Sequence, residues 1–263
     1  MINVALIGGS GIYLPDMLSN VFEDFVETPY GSIIYSCGEI NGKKVAFIPR
    51  HGKGHSVPPH KINYRANIWG LKKIGVKHII SSTAVGSLNS EMKVGEFVIP
   101  DQILDFTKSR VNTFFDGDEE RVVHVDVTNP YCQTLCNILS GAAKQEGIVS
   151  HLGGTYVCTE GPRFETAAEI KMYQKLCGDI VGMTGIPEAT LAREAEMCYA
   201  TFSLVTNLAA GISATPLSHQ EVYDCMKQTN SKIMAFLKNA LTKIAVLADD
   251  CTCQQALKEF GGF

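Results

Sequence analysis

No apolar run in the sequence approaches the roughly 18 residues that a membrane-spanning helix needs. The opening MINVALIGGSGIYLPD has no basic stretch of the signal-peptide kind, so a cytoplasmic protein without membrane contact is expected. Positive charge is not in excess either: 23 Lys and Arg stand against 27 Asp and Glu, with a formal net charge of -4 and a pI near 6.0. That balance leaves no electrostatic footprint for nucleic acid, although a few local cations suffice for a small anion. There is no repeat of fixed period, and 24 Gly with 10 Pro provide turns without low-complexity bias. The charged stretch 116–121 is too short to be a linker, so a single domain over 1–263 is expected.

A disulfide framework is missing as well. The nine cysteines are odd in number and stand mostly alone in apolar stretches, as in Val157-Cys158-Thr159 and Met197-Cys198-Tyr199, where buried free thiols are expected. Cys251-Thr252-Cys253 is the tightest pair, and no second Cys/His pair lies nearby in sequence to complete a zinc site. No metal is expected.

What the chain does have is a core, with 45% hydrophobic and 19% charged residues. Residues 3–7 read as a buried strand running into a glycine turn. Residues 32–37 and 44–48 flank Asn41-Gly42, a strong hairpin signal. Further strands are expected at 76–81, 96–104, 153–158, 180–183 and 199–207. Helices are expected at 63–73, 130–145, 166–176, 187–197 and 221–247. This alternation predicts an α/β fold, a mixed or largely parallel central sheet with helices on both sides.

Several strand ends carry polar segments. Gly8-Gly9-Ser10-Gly11 fails the dinucleotide spacing, because Leu14 stands where glycine is required; it is either a tight turn or a small-anion nest. Pro49-Arg50-His51-Gly52-Lys53-Gly54-His55 packs four potential cations after a strand, suited to phosphate or to a solvated loop. Ser81-Ser82-Thr83-Ala84-Val85-Gly86-Ser87 offers hydroxyls and amides to the same anion. In Thr159-Glu160-Gly161-Pro162-Arg163-Phe164-Glu165, Phe164 is placed to stack on a heterocycle and Glu165 to accept a ring N–H, or else they are a core ring and a helix-start acid. The segments 181–188 and 204–211 run past strand ends, the second carrying Asn207, a polar group that must find partners.

With Ser10 in its glycine turn, RHGKGH, STAVGSL, EGPRFET, GMTGIPE and TNLAAG in this order, residues 8–222 resemble the family of trimeric purine nucleoside phosphorylases and methylthioadenosine phosphorylases. RHG and NYRANIW are most similar to the methylthioadenosine branch. The resemblance implies phosphorolysis of a purine nucleoside by orthophosphate, a co-substrate, with no cofactor and no metal. It assigns phosphate to Ser10, Arg50, His51, Thr83, Ala84 and Thr184, the ribose to Met183, the base to Phe164, Glu165, Asn207, Leu208 and Ala209, and the sugar 5′ end to His219. Asn207 and His51 would act on the reacting groups. It also implies a homo-oligomer, trimeric or hexameric, with His124 or a loop neighbour reaching into a partner's site.

Within that resemblance the base site departs from the methylthioadenosine branch. Adenine-type members carry Asp at the place of Asn207 and again at that of Ala209, and a small hydroxyl residue at that of Glu165. An ionised carboxylate only accepts, which suits the N1–H of hypoxanthine or guanine and opposes the bare N1 of adenine. Asn207 offers both a donor and an acceptor to the O6/N7 edge. Inosine and guanosine are therefore the expected substrates, with methylthioinosine or methylthioadenosine as the alternative. His219 favours an ordinary 5′-hydroxyl.

Overall fold

A computed structural model describes residues 2–12, 17–117, 121–213, 216–248 and 250–263. A single mixed sheet runs through the molecule in the order β2 (Ser19–Val26), β3 (Ile33–Ile40), β4 (Lys43–Pro49), β1 (Val4–Gly8), β5 (His78–Ser87), β10 (Ile180–Gly182), β9 (Thr155–Thr159) and β7 (Gln102–Phe106). β11 (Cys198–Leu208) lies along β5 and also pairs β6 (Phe97–Ile99), which pairs β8 (Ser150–Leu152). Helices α1 (Tyr64–Lys73) and α4 (Glu188–Glu194) pack on each other, as do α2 (Gln133–Gln145) and α5 (His219–Ile244). α3 (Ala167–Lys175) starts from a capping box in which Thr166 and Glu169 exchange hydrogen bonds. The expected α/β architecture is present.

The Asn41-Gly42 hairpin forms as read, with Ile40 opposite Lys43 and positive φ at both turn residues (49° and 73°), the type I′ signature. The single strand expected at 96–104 is instead two. Pro100 cannot donate to a ladder, so the chain leaves β6 and rejoins the sheet as β7 beside a different partner. β2 escaped the sequence reading because it is an exposed edge strand without a buried alternation, and three-residue β8 carries too little pattern to see. The helix expected at 187–197 is only the seven residues of α4, and α5 begins two residues earlier than expected.

β5 organises the site. On one edge it pairs with β11 from His78 to Ser87. On the other, β1 pairs residues 78–81 in parallel, and β10 takes over at Gly86 and Ser87 in the antiparallel sense. Residues 82–85 therefore face a gap between two departing strands, the kind of crevice where α/β sheets bind ligands. The strand expected to end at Ser81 in fact continues through the polar run to Ser87.

Candidate active site

The gap in β5 opens into a cavity of about 480 Å³. Around it stand Ser10, Arg50, His51, Thr83, Ala84, Phe164, Glu165, Met183, Thr184, Asn207 and His219. The fold thus brings eleven of the sequence-predicted residues to one wall. Leu208 and Ala209 are not among them. Leu208 turns into a separate cleft of about 840 Å³ beside Ser87, Leu88 and Gln174, and Ala209 is buried in a small apolar cluster with Leu88, Val157 and Ile170. Alternation along the extended chain sends Asn207 and Leu208 to opposite sides. His124 is exposed and lies outside the cavity wall.

Arg50 is buried in the wall, just beyond β4. Its Nε and Nη2 donate to the two oxygens of Glu188 at 2.8 and 2.9 Å, Nη1 donates to the Ser82 carbonyl at 2.8 Å, and Nη2 also donates to Ser81 Oγ at 2.5 Å. Four of its five N–H groups are so used, and the fifth, on Nη1, is left for a ligand. Burial works against the charge, but Glu188 more than restores it and carries Arg50 above its ordinary pKa, so it remains a cation. Glu188 closes the GMTGIPE segment, whose pattern assigns it no role. The signal was available: an acid at the start of a helix whose neighbours Ala189, Leu191 and Ala192 are apolar must find a buried cation. The glycine turn after β1 closes over this arrangement. A Cβ on Gly9 would lie 2.5 Å from the Ser82 carbonyl and 2.9 Å from Arg50 Nη1, so only glycine lets the turn approach.

The remaining cations of the loop behave differently from their sequence grouping. His51 is buried, and its Nδ1 donates to the Val57 carbonyl at 2.8 Å, leaving Nε2 as an acceptor. Burial, reinforced by Arg50's charge, lowers its pKa from 6.5 to about 4. His51 is thus a neutral acceptor and not a second cation. Lys53 points outward to Glu23 at 2.8 Å and takes no part. His55, held with φ of 58°, stacks on His51 at 4.2 Å and reaches toward His219 at 5.7 Å. It was counted in the loop but not singled out, since only a left-handed turn folds it back into the cavity.

Asn207 owes its direction to a bulge. The β11–β5 register skips Thr206 between Val205 and Asn207, which re-aims the Asn207 side chain. Thr206 Oγ1 donates to its Oδ1 at 2.9 Å, and its Nδ2 donates to the Leu208 carbonyl at 3.0 Å. Those partners fix which way the amide faces and leave one N–H and one lone pair for a ligand. Gly86 makes room: a Cβ there would stand 3.1 Å from Asn207 Nδ2. Glu165 accepts from Thr159 Oγ1 at 2.7 Å, and burial pushes its pKa above the ordinary carboxylate value despite that bond. Phe164 is 39% exposed at the rim, free to cover a planar ligand.

The cavity thus sets one buried arginine, able to hold an anion, beside a carboxylate and an oriented amide, able to read the polar edge of a second ligand. Residues 3–242 match the model of the phosphorylase superfamily, and the chain belongs to that family. It is 53% identical to the probable 6-oxopurine nucleoside phosphorylase of Dictyoglomus turgidum over 98% of this chain and 97% of that one. It is also 53% identical to the 6-oxopurine nucleoside phosphorylase of Pyrococcus furiosus, over 98% of both chains. Among solved structures, a methylthioadenosine phosphorylase from an Antarctic soil metagenomic library superposes with a TM-score of 0.91 at 40% identity, covering 98% of this chain and 91% of that one.

Proposed function

We propose that the chain is a 6-oxopurine nucleoside phosphorylase, a pentosyltransferase that converts inosine or guanosine and orthophosphate into the free base and ribose 1-phosphate. The observation that carries this reading is the pairing of Glu165 with Asn207 on the cavity that also holds Arg50 and His51. As the glycosidic bond breaks, electrons flow into the purine and positive charge grows on the ribose. Asn207 Nδ2–H would meet the charge arriving at O6, and the Glu165 carboxylate would accept the N1–H. Phosphate held by Arg50 Nη1–H, the Ser10 turn, Thr83, Ala84 and Thr184 would supply the nucleophile, with its own proton donated to His51 Nε2. Met183 would cover the ribose. Catalysis is then positioning and charge stabilisation, with phosphate as co-substrate, no cofactor and no covalent intermediate on the enzyme.

The reading extends to a homo-oligomer, trimeric or hexameric, working in the cytoplasm. No helix among the described residues is long and apolar enough to cross a membrane. The alternative, a phosphorylase of methylthioinosine or methylthioadenosine, is supported by the likeness to the metagenomic enzyme. His55 and His219 at the cavity's 5′ end argue for a polar substituent there. The deciding experiment measures phosphate-dependent base release from inosine, guanosine, adenosine, methylthioinosine and methylthioadenosine. Highest kcat/KM on inosine or guanosine is expected; a higher value on an adenine nucleoside overturns the Glu165/Asn207 argument.

A further inference from the structure

The sequence puts no second cysteine pair beside Cys251 and Cys253, but the fold does. Cys132, the residue before α2, and Cys198, the first of β11, converge on them, and all four Sγ atoms lie within 4.8 Å of one another. We propose that Cys132, Cys198, Cys251 and Cys253 form a structural tetrathiolate site for zinc. A zinc ion bound by four thiolates at about 2.3 Å sets its sulfurs about 3.8 Å apart. Cys132 Sγ and Cys251 Sγ already stand 3.8 Å apart. Two disulfides would instead draw the sulfurs together in pairs at about 2.05 Å, and all nine cysteines are free.

The surroundings suit a closed structural site. Cys132, Cys198 and Cys253 are buried, and Cys251 is half-buried. S–H groups are weak donors, so four of them gathered in the core gain little from one another. Outer contacts of the kind that orient metal ligands are in place. Gln254 Nε2 donates to Cys198 Sγ at 4.0 Å, and Arg193's positive charge acts on Cys253; the main chains of the two elements are joined by the Cys132 N–H, which donates to the Tyr199 carbonyl at 2.8 Å. On binding, four S–Zn bonds replace the S–H bonds, the released protons pass to solvent, and no oxidant or reductant is involved. The site would fasten the C-terminal segment to the starts of α2 and β11. The tail is otherwise tied there by the Leu257 and Phe263 N–H groups on Glu196, at 3.0 and 3.3 Å.

The test uses the full chain, expressed with zinc and purified under reducing, oxygen-free conditions. Elemental analysis is expected to find one zinc per protomer. Cobalt(II) titrated into chelator-treated protein is expected to show thiolate-to-metal charge-transfer absorption and the intense ligand-field bands of a tetrahedral ion. Cys253→Ser should lose the bound zinc, and Cys177→Ser, an exposed thiol outside the cluster, should keep it. Should Cys253→Ser fail to fold, the cobalt spectrum of the unaltered protein decides alone. A protein without metal, whether its four thiols are free or joined as disulfides by mass spectrometry, overturns the site, as does an octahedral or thiolate-poor cobalt spectrum.

Discussion

Arg50 and Glu188 meet as a fork on a fork, two hydrogen bonds of 2.8 and 2.9 Å between side chains that are both fully buried. Glu188 also accepts from Ser81 Oγ and Tyr199 Oη, each at 2.9 Å. The pair joins α4 to the end of β4 and leaves Arg50 one N–H for a ligand. Breaking such a pair strands a charge in the core at a cost of about 3–5 kcal/mol. An amide in place of the carboxylate turns an NH₂ toward donors. Glu188→Gln is therefore expected to lower unfolding stability by about 3 kcal/mol and to raise the KM for phosphate. Urea denaturation and phosphate saturation curves check both; unchanged values in the two would mean that Arg50 is held by other contacts.

Glu165 is expected to give the proposed base site its pH dependence. Its pKa is raised, chiefly by burial, so it stays protonated to a higher pH than an ordinary carboxyl. Protonated, it donates and opposes the N1–H of a 6-oxopurine; ionised, it accepts. The inosine kcat/KM is expected to fall as pH drops through that raised pKa, while the ratio of adenosine to inosine turnover rises. Glu165→Gln should flatten the limb and cost inosine about tenfold to a hundredfold, the worth of a hydrogen bond to a charged group. An acid limb that survives in Glu165→Gln belongs to another residue.

Asn207 is predicted to be the group whose loss falls on kcat. Removing one preorganised donor aimed at developing negative charge costs about a hundredfold to a thousandfold, so Asn207→Ala should lower kcat by that order with a smaller change in KM. Gly86→Ala tests the positioning: its Cβ would press on Nδ2 from 3.1 Å, and a fall in kcat with phosphate KM unchanged is expected. The double variant Asn207→Asp/Glu165→Ser should move preference toward adenine nucleosides. If it keeps the original preference, the base is held elsewhere.

Most of this site was legible in the chain because its residues fall where Gly, Ser, Thr, Arg and His interrupt apolar runs, at strand ends or, as at Thr83, within a strand. Arg50, Thr83, Met183 and Asn207 all fall at such interruptions. What stayed hidden depends on three-dimensional pairing. Glu188 reads as a helix-start acid until Arg50 is seen opposite it. Leu208 and Ala209 read as neighbours of Asn207 until the bulge at Thr206 sends them to other surroundings. The partition of 96–104 into two strands turns on which strand each half finds, which no local pattern records. The cysteine cluster was invisible for the same reason: Cys132 and Cys198 lie far from Cys251 in sequence, and the three meet only where the C-terminal segment folds back on the start of α2 and of β11.

His51 ties stability to pH in a direction set by its burial. Its pKa in the folded protein is about 4, against an ordinary 6.5, so between those values the unfolded chain binds the proton and the folded chain does not. Its contribution is fully present above pH 6.5 and is lost as pH falls toward 4. The difference corresponds to about 3 kcal/mol over that window. His55, also lowered by burial, acts in the same sense, so the informative comparison is between the native chain and His51→Gln. Urea unfolding of both at a series of pH values, without phosphate, should show a steeper loss of stability toward acid in the native chain. Parallel profiles would mean that His51 is not the neutral, Val57-bound imidazole described above.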